Sequence, residues 1–443
     1  MGIMPPLLAF LGLALAAVIT VTGTFVGGSN EVLDARLQDA ERTAALNGTS
    51  IELVAATYSG DVATLTFRNV GRVPLRATDS WDVWVSTHNA SGNYNPEQLT
   101  RSTTASASAD EWVLAGIYLD AASQAAESTY PGILNPSEEM ILTLNVEPDA
   151  ADPEANLATL ALPIGASARV ALTWQAVATT PADAGAGASL TTNGTYVYAM
   201  GGNATNALWR YDATADSWST LAVVPFSPTA GGALAYATDA GAGYLYALEG
   251  QNQVSFERYD IGGNTWLTLA NAPANADDGA SLAWDGENTI YALRGQATVD
   301  FWSYNISGNA WSTRVNAPGT VQQGGALVYL AGSLYALGGN GTTAFWKYTV
   351  SGGAWTTLST APATVSNGGA LATDGVDLYA FRGGTQSTFW KYSVARDTWT
   401  EYPTTPAAVD WGGSVTVLGT KVYGLGGNTT NAFWKYPLPA YAP

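Results

Sequence analysis

Three hydrophobic patterns follow one another along the chain. From Met4 to Val26 no residue is charged, and Leu, Ala, Val and Ile dominate. At about 1.5 Å per residue, a helix of this length crosses a bilayer core. Pro5 and Pro6 suit a helix start, where their missing N–H groups cost little. Beyond Gly27 and Gly28, Val32, Leu33, Leu37, Ala40 and Ala44 recur at helical spacing, with Glu31, Asp34, Arg36, Asp39, Glu41 and Arg42 between them. The pattern predicts a long hydrophobic helix over 1–48. Its packing face is Leu7, Leu8, Phe10, Leu11, Leu13, Leu15, Val18, Ile19, Val21 and Phe25, set in a membrane or in the core of a polymer. No Lys or Arg precedes Arg36, so the basic start of a cleaved secretory signal is missing.

The second pattern is the period-two alternation of half-buried strands, over 49–172. Ile51–Ala55 and Val62–Phe67 flank a Ser59-Gly60-Asp61 turn and predict a hairpin. Asn69-Val70-Gly71 marks the next turn. Trp81–Val85, Trp112–Leu119 and Met140–Val146 read as further strands, the last opened by Asn135-Pro136-Ser137. Short strands with regular turn signals predict a β-sandwich. His88 falls at a strand end beside Asn89 and reads as a surface polar residue.

Residues 1–172 resemble archaeal filament proteins: archaellins, archaeal type IV pilins, and especially the stator and cap proteins of the archaellum. The likeness rests on the apolar run leading into Val32–Arg42, then Thr49-Ser-Ile51-Glu, Leu65–Gly71 with Leu75, Val83-Trp-Val85 and Asn135–Leu142. It implies an N-terminal hydrophobic helix carrying a β-sandwich. The basic residue that ends a class III signal peptide is not there. Either the sequence is already processed, or the segment is an uncleaved anchor.

The third pattern is a repeat of about 45 residues running to the end of the chain. A marker Trp recurs at 174, 218, 266, 311, 355 and 399, at spacings of 44, 48, 45, 44 and 44. Each unit continues with a Pro, a small-residue pair before an apolar run, then Tyr-Ala-Leu-x-Gly and Phe-Trp-x-Tyr, as in Gly324–Leu327, Leu334–Gly339 and Phe345–Tyr348. These units resemble kelch repeats, which form four-stranded propeller blades. Six units imply a six-bladed β-propeller over 173–443. The first unit opens on a Trp strand and the last ends at Phe433–Tyr436 without one, so the strand around Leu172–Val177 is expected to close the last blade. The fold class is therefore mainly β, behind a long N-terminal helix. Eleven of the 16 Trp occupy two repeat positions and read as blade packing, not as a sugar platform.

Composition narrows the chemistry. The net charge is −19, with 17 Lys+Arg, which argues against a nucleic-acid partner. There is no Cys and one His. Disulfides, Cys-based zinc sites, thiol nucleophiles and the copper–Cys–Tyr centre of kelch oxidases are excluded. Neither a cofactor nor a metal is expected.

Departures from the repeat mark the candidate site. Glu249, Arg294 and Arg382 stand in the slot that Gly201, Gly338 and Gly426 fill elsewhere. The loop before each first strand supplies Asp277, Asp278, Gln322, Gln323, Asn367, Asp410 and Trp411. Both sets are expected at one channel mouth, either as a ligand or glycan site or as a ring of mutually satisfied polar groups. Two arginines fall short of a sialidase triad. Asp277 and Asp278, being adjacent, make a poor acid–base pair, and no catalytic residue is assigned. Sequons at Asn47, Asn89, Asn193, Asn203, Asn305, Asn340 and Asn428 predict a glycosylated extracellular protein.

These features lead to two expectations. The first is a non-enzymatic subunit of an archaeal type IV pilus-like surface filament. It is anchored in the membrane before assembly and polymerised with its own copies through the helix, with the propeller displayed for adhesion. The second is a membrane-anchored, stator-like surface protein whose propeller binds glycans or a surface-layer protein.

Overall fold

The computed structural model describes residues 51–59, 62–76, 82–88, 94–102, 111–120, 125–126, 133–145, 157–161, 167–171, 174–203 and 205–438. Over these residues the chain is all β, with no helix, and this corrects the fold class expected above. The long helix was placed on 1–48, which lies outside the described residues together with Asn47 and Asn89. Among the described residues no helix is long and apolar enough to cross a membrane.

The N-terminal unit holds β1 (Ile51–Ser59), β2 (Val62–Asn69), β3 (Leu75–Arg76), β4 (Asp82–His88), β5 (Tyr94–Arg101), β6 (Glu111–Asp120), β7 (Ala125–Ala126), β8 (Ile133–Leu134), β9 (Glu139–Asn145), β10 (Leu157–Ala161) and β11 (Ser167–Ala171). Alternation places Ala63, Leu65 and Phe67 of β2 and Met140, Leu142 and Leu144 of β9 in one core with Trp112. The expected two-sheet sandwich gives way to one continuous path, β1-β2-β9-β6-β5-β4-β10-β11, with β7 on β6 and a separate β3–β8 pair. A two-residue parallel pairing, Thr100 with Glu111 and Arg101 with Trp112, joins its two antiparallel halves. β11 returns alongside β1, so the path curls on itself.

Six four-stranded antiparallel sheets follow. Blade 1 is Ser189–Thr192, Val197–Gly202, Thr205–Asp212 and Ser217–Thr220; blade 2 is Ala233–Asp239, Ala242–Leu248, Phe256–Asp260 and Thr265–Thr268. Blade 3 is Ser281–Trp284, Thr289–Leu293, Phe301–Asn305 and Ala310–Thr313; blade 4 is Ala326–Leu330, Ser333–Leu337, Phe345–Thr349 and Ala354–Thr357. Blade 5 is Ala370–Thr373, Leu378–Phe381, Phe389–Ser393 and Thr398–Tyr402. Blade 6 is Ser414–Leu418, Lys421–Leu425 and Phe433–Pro437, and takes its outer strand, β12 (Gln175–Ala176), from the other end of the repeat region. Gln175 pairs with Lys435 and Ala176 with Trp434. The first strands touch in cyclic order, and blade 6 returns to blade 1, giving a propeller-like ring. β1 of the N-terminal unit lies beside the outer strand of blade 5.

The repeated aromatic residues are the mortar between blades. The marker Trp of each outer strand donates its indole N–H to a carbonyl in the loop leaving the preceding blade: Trp218 to Ala178, Trp266 to Ala222, Trp311 to Ala270, Trp355 to Val315, Trp399 to Ser359 and Trp174 to Pro403, at 2.8–3.0 Å. Five of these Trp rings meet a Phe of the preceding blade edge-on at 4.8–5.0 Å, and the closing pair is Trp174 with Phe389.

Glycine sets the closeness of the ring at its axis. Gly187, Gly231, Gly279, Gly324, Gly368 and Gly412 all have φ of 80–85°. A Cβ on any of them would lie 1.9–2.2 Å from a backbone carbonyl oxygen of the next blade, the last being Gly412 against Gly185. No side chain is compatible with that approach.

Candidate functional site

The six first strands enclose a cavity of about 420 Å³ along the axis. At its mouth each blade contributes the residue before its axial glycine. In chain order these are Ala186, Ala230, Asp278, Gln323, Asn367 and Trp411. Blades 1 and 2 thus offer methyl groups, and blades 3 to 6 an unbroken arc of polar and aromatic side chains. Asp278, Gln323, Asn367 and Trp411 all line the cavity. Gln323 Nε2 donates to one oxygen of Asp278 at 3.1 Å. The other, Oδ1, is buried with no partner, as is the hydroxyl of Ser281 deeper in the wall. Burial, and next the charge of Asp277, push the Asp278 carboxyl above its ordinary value, while the Gln323 bond pulls it back.

The other candidates go elsewhere. Asp277 turns its Oδ1 to the N–H of Asp278 at 3.0 Å, and neither it nor the buried Asp410 lines the cavity. Glu249, Arg294 and Arg382 do not line it either. Arg294 reaches into the seam with blade 2, donating to the Asn275 carbonyl at 2.8 Å and Gln296 at 2.8 Å and pairing with Asp300 at 2.7 Å. Arg382 repeats the first contact on the Thr364 carbonyl at 3.1 Å. The slot after the second strand lies on a blade face: in blade 4, a Cβ on Gly338 would sit 2.9 Å from the ring of Trp346. It therefore stitches blades together and does not face the axis.

One buried residue in that seam escaped the sequence reading. Glu257 stands where Trp209, Trp302, Trp346, Trp390 and Trp434 stand in the other units. It is 6% exposed, and its Oε2 has no partner. In the loop before this blade, Phe226 holds the repeat position from which Gly319 faces Trp346 in blade 4. Burial raises the Glu257 carboxyl above its ordinary value; Thr268 opposes this and Glu249 adds to it. Stability linked to Glu257 is complete below the ordinary glutamate range and falls as pH rises through the raised value. Glu257→Gln should therefore raise the unfolding free energy near pH 7 by about 1–2 kcal/mol and change little near pH 4. Urea melts across that range check it; a uniform effect at all pH would contradict it.

The five described sequons sit in turns. Asn203, Asn340 and Asn428 occupy the same exposed turn of blades 1, 4 and 6, each at φ of 51–55°. Thr205, Thr342 and Thr430 donate to the carbonyls of Gly202, Gly339 and Gly427 at 2.6–2.8 Å. Asn193 Oδ1 accepts the Tyr196 N–H at 2.8 Å, and Asn305 Oδ1 that of Gly308 at 2.6 Å. A left-handed turn selects Asn by itself at 203, 340 and 428, and the Asn193 and Asn305 side chains cap their turns, so turn geometry accounts for these residues without glycosylation. Among the described residues, no group of three or more His, Asp or Glu is placed to hold a metal ion.

No known protein family matches the sequence, and no curated protein does. Solved structures resemble it in part. One is YjhT, 15% identical with a TM-score of 0.46, covering 59% of this chain and 95% of its own. A second is a Bacteroides thetaiotaomicron protein of unknown function, 10% identical with a TM-score of 0.45, covering 88% and 98%. A third is U3-55K, 12% identical with a TM-score of 0.38, covering 57% and 80%.

Proposed function

We propose that this chain is a cell-surface recognition protein. Its propeller-like ring is the binding module, and its uncharged N-terminal run holds it at the cell boundary, as part of a filament of its own copies. The observation that carries the reading is the mouth of the ring. A scaffold repeated six times departs from its own symmetry on four adjacent blades, around an open cavity, in residues that the fold itself does not require. The N-terminal unit then acts as a spacer between that run and the ring.

The reading is tested on cells that make the protein. Antibody against the ring should label intact cells, and shearing should release the chain in filaments visible by electron microscopy. Release only by detergent would replace the filament by a permanent anchor. Labelling that requires permeabilised cells would overturn surface display altogether.

A further inference from the structure

The axial glycines bring a second set of groups to the cavity, this time from the backbone. The turn before each first strand is closed by a hydrogen bond from its fourth residue to its first carbonyl: Ala188 to Gly185, Gly232 to Thr229, Ala280 to Asp277, Gly325 to Gln322, Gly369 to Ser366 and Gly413 to Asp410, at 2.6–2.8 Å. The second residue is the mouth residue. Its carbonyl turns away into its own blade, where it accepts an N–H from Asn203, Gln251, Gln296, Asn340, Gly384 or Asn428 at 2.7–2.9 Å. The third residue is the axial glycine. A trans peptide is planar, so the glycine N–H points opposite to that carbonyl, into the cavity the glycine lines. Among the described residues, none of these six N–H groups donates to a backbone carbonyl.

The cavity therefore presents donors and an acceptor together. The donors are the N–H groups of Gly187, Gly231, Gly279, Gly324, Gly368 and Gly412. The acceptor is the Asp278 carboxylate, which lines the cavity and takes one bond from Gln323 on Oδ2, while its Oδ1 and Ser281 Oγ are closed off from solvent. Trp411 faces them from blade 6, three blades round a ring of six. Each of these groups is open to a partner inside the cavity. A cation would satisfy Asp278 and leave the N–H ring unmet. An anion would take the N–H groups but meet Asp278, with no Lys or Arg in the lining to offset the repulsion. A hydroxyl both donates and accepts, and a ring of C–H groups covers an indole face.

We propose that the channel mouth binds an uncharged pyranose of a surface glycan, its hydroxyls shared between the glycine N–H ring and the Asp278 carboxylate, and one ring face laid on Trp411. This rests on the recognition reading and names its ligand class. About 420 Å³ is room for one such ring with water beside it.

The test uses the full chain in detergent, titrated by calorimetry with neutral hexoses and their oligosaccharides, an N-acetylhexosamine, a uronate and a free amino sugar. A neutral sugar should bind best. Trp411→Ala and Asp278→Ala should each weaken it roughly tenfold or more, which is about 1.4 kcal/mol, with thermal melts confirming the fold. Tighter binding of the uronate or the amino sugar would overturn the proposal. So would neutral binding that survives both substitutions. Adhesion to native cell envelopes is measured alongside. If no sugar binds but Trp411→Ala abolishes adhesion, the ligand class is wrong and the recognition site stands. If Trp411→Ala leaves adhesion intact, both fail.

Discussion

Trp174→Ala should cost the ring about 3–5 kcal/mol, among the largest single-residue losses in this chain. Trp174 is 3% exposed. It packs on Phe389 at 4.9 Å, Tyr436 at 5.4 Å and Phe381 at 5.7 Å, and its indole N–H holds the Pro403 carbonyl at 3.0 Å. Beside it, β12 makes only two residue pairs with blade 6. Without the indole the last blade loses its outer strand, and Phe433–Pro437 becomes an unprotected edge that pairs with other chains. Urea denaturation followed by tryptophan fluorescence measures the loss, and light scattering the aggregation. Trp355→Ala, in the middle of the repeat, is the control: it removes the equivalent Phe contact and indole hydrogen bond, from a more exposed Trp, without opening the ring. Equal aggregation in both variants would show that closure is not what Trp174 secures.

Lys391→Met should be nearly as costly, at about 3–5 kcal/mol, because it strands a buried carboxylate. Lys391 Nζ lies 2.8 Å from Asp377 Oδ2, with the two side chains 5% and 7% exposed. Asp377 also accepts the N–H of Val394 at 3.1 Å. The double variant Asp377→Leu/Lys391→Met should recover most of the loss, since an apolar pair avoids the desolvation of both charges. Urea midpoints of the three proteins decide it. A single-variant loss under about 1 kcal/mol would place this pair with exposed ones.

Blades were legible in the sequence because their contacts are local and repeated. The marker Trp and the seam Tyr recur in all six units and the Phe in five, and the offset between first and last units points to β12. The N-terminal unit was less legible. Its strands alternate clearly, but the two-residue parallel pairing of Thr100–Arg101 with Glu111–Trp112 depends on non-local register that no short pattern encodes. At the mouth, comparing units picked out Asp278, Gln323, Asn367 and Trp411. The same comparison misplaced Glu249, Arg294 and Arg382, because both slots break the repeat and only three-dimensional placement separates axis from seam. Glu257 was readable in principle as a lone carboxylate at a Trp position. The glycine N–H ring was not, since it is a direction of the backbone and not a residue type.

The origin of β12 also fixes an order of events during synthesis. Its two residues emerge before any blade, yet their partners Lys435 and Trp434 follow roughly 260 residues later, about 13–50 s at the usual pace of translation. Blades 1 to 5 draw their strands from contiguous chain and complete themselves in turn. Blade 6 alone waits for two distant ends to meet, so its closure comes last during synthesis. Until then the nascent protein is an open arc of finished blades, with Gln175 and Ala176 held at one end for a partner not yet made.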